Sequence, residues 1–276
     1  MSLIVYGNTI WDNIYHVPKL DVGKNLRTTS YIGRAGGIAN VCRATYGKCY
    51  TVAVGITGAD TNAANYIKNI TADVKSFQQA MCATSTATII IDDESTRTSI
   101  VTPGACYQHQ QKVIPLPHSS WIHIIYIDNL NMPVDVWAEF RKCADAENCI
   151  ISTDISGHSI DGLSEKLQYV DYLFADREYE QTYTVDNVRA GVIYHNSTSI
   201  LYQTKHKISE IAVTPVAGLN VLGAGDYLAG NCIWQLMRTP KLDLSLAHRT
   251  TLQLLHDQSN ANQHSIANSR IRQAVC

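Results

Sequence analysis

The stretch "NVLGAGDYLAG" (220–230) sets Gly223, Ala224 and Gly225 directly before Asp226, and an apolar segment follows. The first amides of a helix have no intrahelical acceptor, so a small-residue turn at a helix start lets an anion such as phosphate come close to bare N–H groups. A carboxylate is an odd neighbour for a phosphate unless it has a proton to take. The combination points to phosphoryl transfer onto a hydroxyl. Read alone, Asp226 equally fits a helix-start carboxylate worth about 0.3–1 kcal/mol of dipole stabilisation.

Two more stretches carry residues of the same kind. In "GRAGGIANVCRATYGK" (33–48), Gly36 and Gly37 make a turn that side chains would block. Asn40 follows one turn later, where its amide can donate to and accept from the same ligand hydroxyls. A glycine turn with close helix packing is the plainer explanation of that stretch. Asp12, in "YGNTIWDNI", stands just beyond a first apolar run. Ligands of open α/β sheets bind outside the carboxyl ends of the strands, so a carboxylate there can hold sugar hydroxyls, although a turn or cap role fits it as well. The glycines of "VGITGADTNAANYI" (54–67) read as turn geometry after a strand.

These residues need a scaffold. Apolar, β-branched runs recur at 3–7, 50–56, 86–92, 121–127, 149–155, 170–176 and 191–195, and helical patterns at 39–46, 63–69, 134–146 and 226–238 separate several of them. Continuous apolarity predicts strands buried on both faces, and alternation with helices predicts a mainly parallel sheet in a three-layer α/β sandwich. Residues 13–33 and 86–104 instead alternate around polar turns, which predicts a small β-flap beside the main sheet. Unpaired flap edges invite a partner strand, so the flap is expected to cover the acceptor and to offer a homodimer contact. The whole of 1–276 reads as one domain with this flap as a lid.

A chain of 276 residues with 45% hydrophobic content and a net charge of -2 is an ordinary globular composition. With no run of Lys or Arg, nucleic acid and anionic membranes are poor partners and a small molecule is the default. No apolar run approaches the roughly 18 residues of a membrane span, and the first residues lack signal-peptide regions, which predicts a cytoplasmic protein. The eight cysteines fall at irregular spacings with no CxxC pair, as buried thiols of a reducing compartment do. No G-x-G-x-x-G follows the first strand, which argues against a nicotinamide enzyme, and no Walker-type loop is present.

In their order along the chain, "YGNTIWDNIYHVPKL", "AGGIANVCRATYGK", "TSIVTPGA" and "NVLGAGDYLAG" resemble the opening strand, first glycine signature, lid return and second signature of the ribokinase (PfkB) family of carbohydrate kinases. The resemblance implies ATP-dependent phosphorylation of a hydroxyl on a sugar, nucleoside or similar polyol, with magnesium accompanying ATP. It implies Asp226 as general base, the N–H groups of Gly223, Ala224 and Gly225 as the anion hole, and Asp12, Gly36, Gly37 and Asn40 as acceptor ligands. The nucleotide side departs from the pattern. "FADREYEQ" puts Asp176 in the place of an asparagine that helps hold magnesium through water, with Glu178 or Glu180 as the second acid. "IYHNSTSIL" has no glycine where relatives show a glycine turn, so Asn196 is expected to supply a glycine-like backbone beneath the nucleotide. Asn220 and Val221 replace an Asp-Thr pair. A sugar- or nucleoside-binding protein of the same fold, with degenerate ATP use, is the alternative.

Overall fold

Leu3 and Val5 of the first strand pack into one apolar cluster and Ile4 and Tyr6 into another, so both faces of that strand are buried. A computed structural model describes residues 1–21, 23–94, 96–108, 119–125, 133–155, 162–216, 219 and 221–274, with side chains as far as residue 260. Its strands in chain order are β1 (Ser2–Gly7), β2 (Thr9–Val17), β3 (Ser30–Gly37), β4 (Tyr50–Thr57), β5 (Val74–Gln79), β6 (Ser85–Asp92), β7 (Arg97–Thr102), β8 (Trp121–Ile125), β9 (Ile150–Asp154), β10 (Tyr172–Asp176), β11 (Gly191–His195), β12 (Ser199–Thr204) and β13 (Ile208–Ala212). The helices are α1 (Ile38–Thr45), α2 (Thr61–Asn69), α3 (Ala105–Gln108), α4 (Val134–Ala146), α5 (Leu163–Leu167), α6 (Ala224–Arg238) and α7 (Leu244–Ala274).

Nine strands form the main sheet in the order β13-β12-β11-β10-β9-β8-β1-β4-β5. From β5 across to β11 every pairing is parallel, and β12 and β13 close that edge antiparallel. Helices α1 and α6 cover one face, with α7 packed against α6 and β13, and α4 and α5 cover the other. This is the three-layer α/β sandwich that the continuous apolar runs predict. Chain order reverses at β1, between β4 and β8, and at such a point loops diverge and leave a crevice at the carboxyl ends.

The alternating segments make a separate sheet of four strands, ordered β3-β2-β6-β7. The run at 86–92 belongs to this sheet, where its second face is only half-covered, and not to the main one. The small sheet reaches further back toward the scaffold than 13–33 and 86–104, because β2 begins at Thr9 and β3 continues to Gly37. Glycines stand at its base. Gly7 has φ 134 and Gly37 has φ 56, and a Cβ on Gly37 would lie 2.1 Å from the carbonyl oxygen of Asn8. A Cβ on Gly104 would lie 2.5 Å from the carbonyl oxygen of Ala83.

Strands β5, β12 and β13 escape the sequence reading because β5 and β13 are largely exposed and β12 lies in a stretch read for its turn. The C-terminal stretch Leu244–Ala274 forms one helix of 31 residues. Among the described residues no helix is long and apolar enough to cross a membrane. All seven described cysteines are free; Cys42, Cys106, Cys149 and Cys232 are buried, Cys143 is exposed, and Cys276 lies outside the described residues.

Candidate active site

A cavity of about 690 Å³ opens between the small sheet and the carboxyl ends of the main-sheet strands. Period-two alternation decides which flap residues reach it: Ile10 and Asp12 from β2, Ala87 and Ile89 from β6, and Arg97, Ser99 and Val101 from β7. The main sheet contributes Asp154, Asp176 and His195, each the last residue of its strand. The first turn of α6 and part of α7 complete the wall.

Asp12 is buried on β2, and the Arg34 guanidinium of β3 lies 3.4 Å from its Oδ2. Burial pushes its carboxyl up to about 6, and the charges of Arg34 and Arg43 with the Arg34 hydrogen bond oppose that rise. Gly36 is explained by this carboxylate, since a Cβ there would stand 2.4 Å from Asp12 Oδ2. Gly36 is thus the space that Asp12 occupies, and Gly37 both shapes the turn into α1 and borders the cavity.

Asp226 is the third residue of α6 and is buried at the cavity wall. Asn40, on α1, donates from Nδ2 to Asp226 Oδ2 at 2.8 Å. Its Oδ1 accepts from Arg43 Nη1 at 3.1 Å, so both ends of the amide are engaged within the protein. An amide has two N–H donors and two carbonyl lone pairs, so these two bonds do not use its full capacity. Gly223 caps α6 with φ 82, a left-handed conformation that glycine adopts without strain, and a Cβ on it would come within 2.9 Å of the Asn40 amide. The Ala224 N–H donates to the Val221 carbonyl at 3.0 Å. Of the three amides expected to form the anion hole, Ala224 is therefore already paired, while Gly225 has no intrahelical acceptor. Farther along the helix, Gly230 lets α6 approach α1, since a Cβ there would lie 2.7 Å from Ala44 Cβ.

On the other side of the cavity, the side chain of Asp176 accepts from the Glu178 N–H, and both residues line the wall. Glu180 does not line it; its Oε2 accepts from Arg177 Nε at 2.9 Å, and Arg177 also donates to Glu210 and Ser199. Asn196 does line the cavity, but its backbone is not left-handed, since Asn148 is the described non-glycine residue with positive φ. Its Oδ1 instead accepts from the N–H groups of Thr198 at 2.9 Å and Ser199 at 2.8 Å, and this side-chain turn takes the role expected of glycine.

His195 was not singled out from the sequence. Its ring packs beside the first turn of α6, so that a Cβ on Gly225 would lie 3.0 Å from His195 Cε1. Burial lowers its pKa, and Asp176 and Asp154 oppose that shift. Its place as the last residue of an apolar strand run was the available signal. Arg34 and Arg43 left no such signal, because the sequence does not show that they face carboxylates.

No family model matches the sequence, and no curated protein matches it. Solved structures do match in fold. A ribokinase from Thermotoga maritima superposes with TM-score 0.70 at 19% identity over 91% of this chain and 90% of its own. A ribokinase from Arabidopsis thaliana, solved with ribose and ATP, gives TM-score 0.66 at 15% identity over 92% and 89%. A nucleoside kinase from Burkholderia thailandensis, solved with inosine, gives 0.68 at 11% identity over 91% and 88%. The chain therefore has the ribokinase-like fold.

Proposed function

We propose that this chain is a small-molecule kinase that moves the terminal phosphoryl group of ATP to a hydroxyl of a sugar, nucleoside or related polyol. The observation that carries the reading is the convergence of Asp12, Asn40 and Asp226, from β2, α1 and α6, at one cavity beside the small-residue start of a helix. In this reading Asp12 binds acceptor hydroxyls, and Asp226 takes the proton of the hydroxyl that is phosphorylated. Each carboxylate oxygen can accept more than one hydrogen bond, so the Asn40 donor on Oδ2 does not exclude uptake of that proton. The N–H groups of Gly223 and Gly225 face the transferring phosphoryl, and the positive end of α6 supports its charge. Asp176 and Glu178 suit magnesium, which takes one or two carboxylates together with phosphate oxygens and water. Bound magnesium would neutralise phosphate charge. The small sheet serves as the lid that keeps water from the phosphoryl group, and its edge strands β3 and β7, with Tyr31 and Ile100 exposed, are the surface for a second copy.

A binding protein that has lost efficient ATP use is the second reading, and the closed hydrogen bonding of Asn196, Arg177 and Glu180 favours it. A panel of sugars and nucleosides screened for thermal stabilisation, then assayed with Mg-ATP, separates the two. A ligand at 100 times its dissociation constant should stabilise by about 2.7 kcal/mol. Phosphorylation of a stabilising acceptor supports the kinase. Acceptor binding with neither turnover nor magnesium-dependent nucleotide binding sinks it.

A further inference from the structure

Asn40 has an arginine behind it. Arg43, one turn along α1, donates from Nη1 to Asn40 Oδ1 at 3.1 Å and to the Tyr227 hydroxyl at 3.0 Å. Tyr227 in turn donates to Gln258 Oε1 on α7 at 2.6 Å. The directions in this chain are fixed by chemistry. A guanidinium only donates, so Asn40 must turn its oxygen to Arg43, and its amino group is thereby aimed at Asp226, which it reaches at 2.8 Å. A tyrosine oxygen that accepts from Arg43 gives its own proton to Gln258. Arg43, Tyr227 and Gln258 are not among the residues that line the cavity, so their hydrogen bonds reach it through Asn40.

We propose that Arg43 is a positioning residue for Asp226, acting through the Asn40 amide, with Tyr227 and Gln258 holding the guanidinium in place. The proposal rests on the reading of Asp226 as general base. It assigns the polar helix α7 a part in the site: its Gln258 ends the chain of hydrogen bonds that orients the catalytic carboxylate. Arg43 also bears on the acceptor carboxylate, since its charge opposes the upward shift of Asp12.

The test has an activity arm and an arm free of activity. With a phosphorylated acceptor in hand, Arg43→Gln should lower kcat by about 10-fold to 100-fold, the scale of one lost charge-assisted hydrogen bond, while the affinity for an ATP analogue stays within about threefold. Arg43→Lys, which still only donates, should recover part of kcat, and Arg43→Met should not. Adding Arg43→Gln to Asp226→Asn should cost nothing beyond Asp226→Asn alone, because residues acting through one group are not additive. A full second loss in the double variant overturns the proposal, as does wild-type kcat in Arg43→Gln. If Asp226→Asn itself turns over at the wild-type rate, the base assignment fails instead, a separate result. The second arm reads the Asn40 side-chain amide by NMR. Its resonances should move to the positions of a solvated amide in Arg43→Gln, and in Tyr227→Phe should the first variant fail to fold. Unmoved resonances overturn the proposal whatever the kinetics.

Discussion

The two walls of the cavity are built differently. On the Asp12 side, glycines are where contacts demand them: Gly36 gives room to the Asp12 carboxylate and Gly37 to the Asn8 carbonyl. The polar groups there point into the cavity or hold one another in line for it. On the opposite side, Asn196 closes its own turn, and Arg177 is consumed by Glu180, Glu210 and Ser199. One wall holds its polar groups at the cavity, and the other ties them into its own turns and ion pairs. The scaffolds differ too: Asp12, Gly36 and Gly37 lie on the small sheet, whereas Asp176 and His195 end strands of the main sheet.

The largest expected effect is at Asp226. Asp226→Asn keeps shape but cannot take a proton, so turnover should fall by about 100-fold to 10,000-fold while acceptor binding survives. A helix-start carboxylate without a catalytic role would leave kcat nearly unchanged. Next comes Gly36→Ala, whose methyl would collide with Asp12 Oδ2. Forcing that carboxylate aside should weaken the acceptor by about 10-fold to 100-fold in calorimetry and cost about 1–3 kcal/mol in denaturant unfolding. Unchanged affinity would remove Asp12 from the acceptor site.

A third measurement uses pH. Because burial raises the Asp12 carboxyl to about 6, the folded chain holds this proton more tightly than the unfolded chain does. That favours folding below the ordinary carboxyl range and is lost as pH rises through about 6, a change of about 3 kcal/mol. Acceptor affinity should run the opposite way, since only the ionised carboxylate accepts from hydroxyls. It should weaken about 10-fold between pH 7 and pH 5, and Asp12→Asn should flatten the profile. The smallest effect belongs to the nucleotide wall. Asn196→Gly removes a side-chain turn and relieves no strain, so ATP affinity should change by less than about threefold and stability should drop by about 1 kcal/mol. A clear gain in ATP affinity would show that backbone shape limits this wall after all.

How far the sequence could be read follows from the same physics. The buried strands β1, β4, β8 and β11 and helices α4 and α6 were legible because core burial imposes apolar runs and helical spacing. Strand β13 was not, because an exposed edge strand keeps no such pattern. Asp226 could be singled out because small residues stand directly before it, and Asp12 because it follows the first apolar run. Arg43 and Tyr227 could not, since 184 positions separate the two partners and nothing local marks their meeting. The Asn196 turn was misread as backbone freedom when its side chain makes the turn. The choice between Glu178 and Glu180 needed the neighbour Arg177 in three dimensions.

The glycine-clamped base of the small sheet makes it a lever. Its strands β2 and β6 run as a parallel pair away from Gly7, Gly37 and Gly104, and the 9 residues of β2 give an arm of about 30 Å at roughly 3.3 Å per residue. A tilt of about 10° at the clamp would sweep the far tip through about 5 Å and shift Asp12, near the pivot, by less than about 2 Å. Asp12 thus sits where the arm scarcely travels, and the far ends of β2 and β6 sit where travel is greatest.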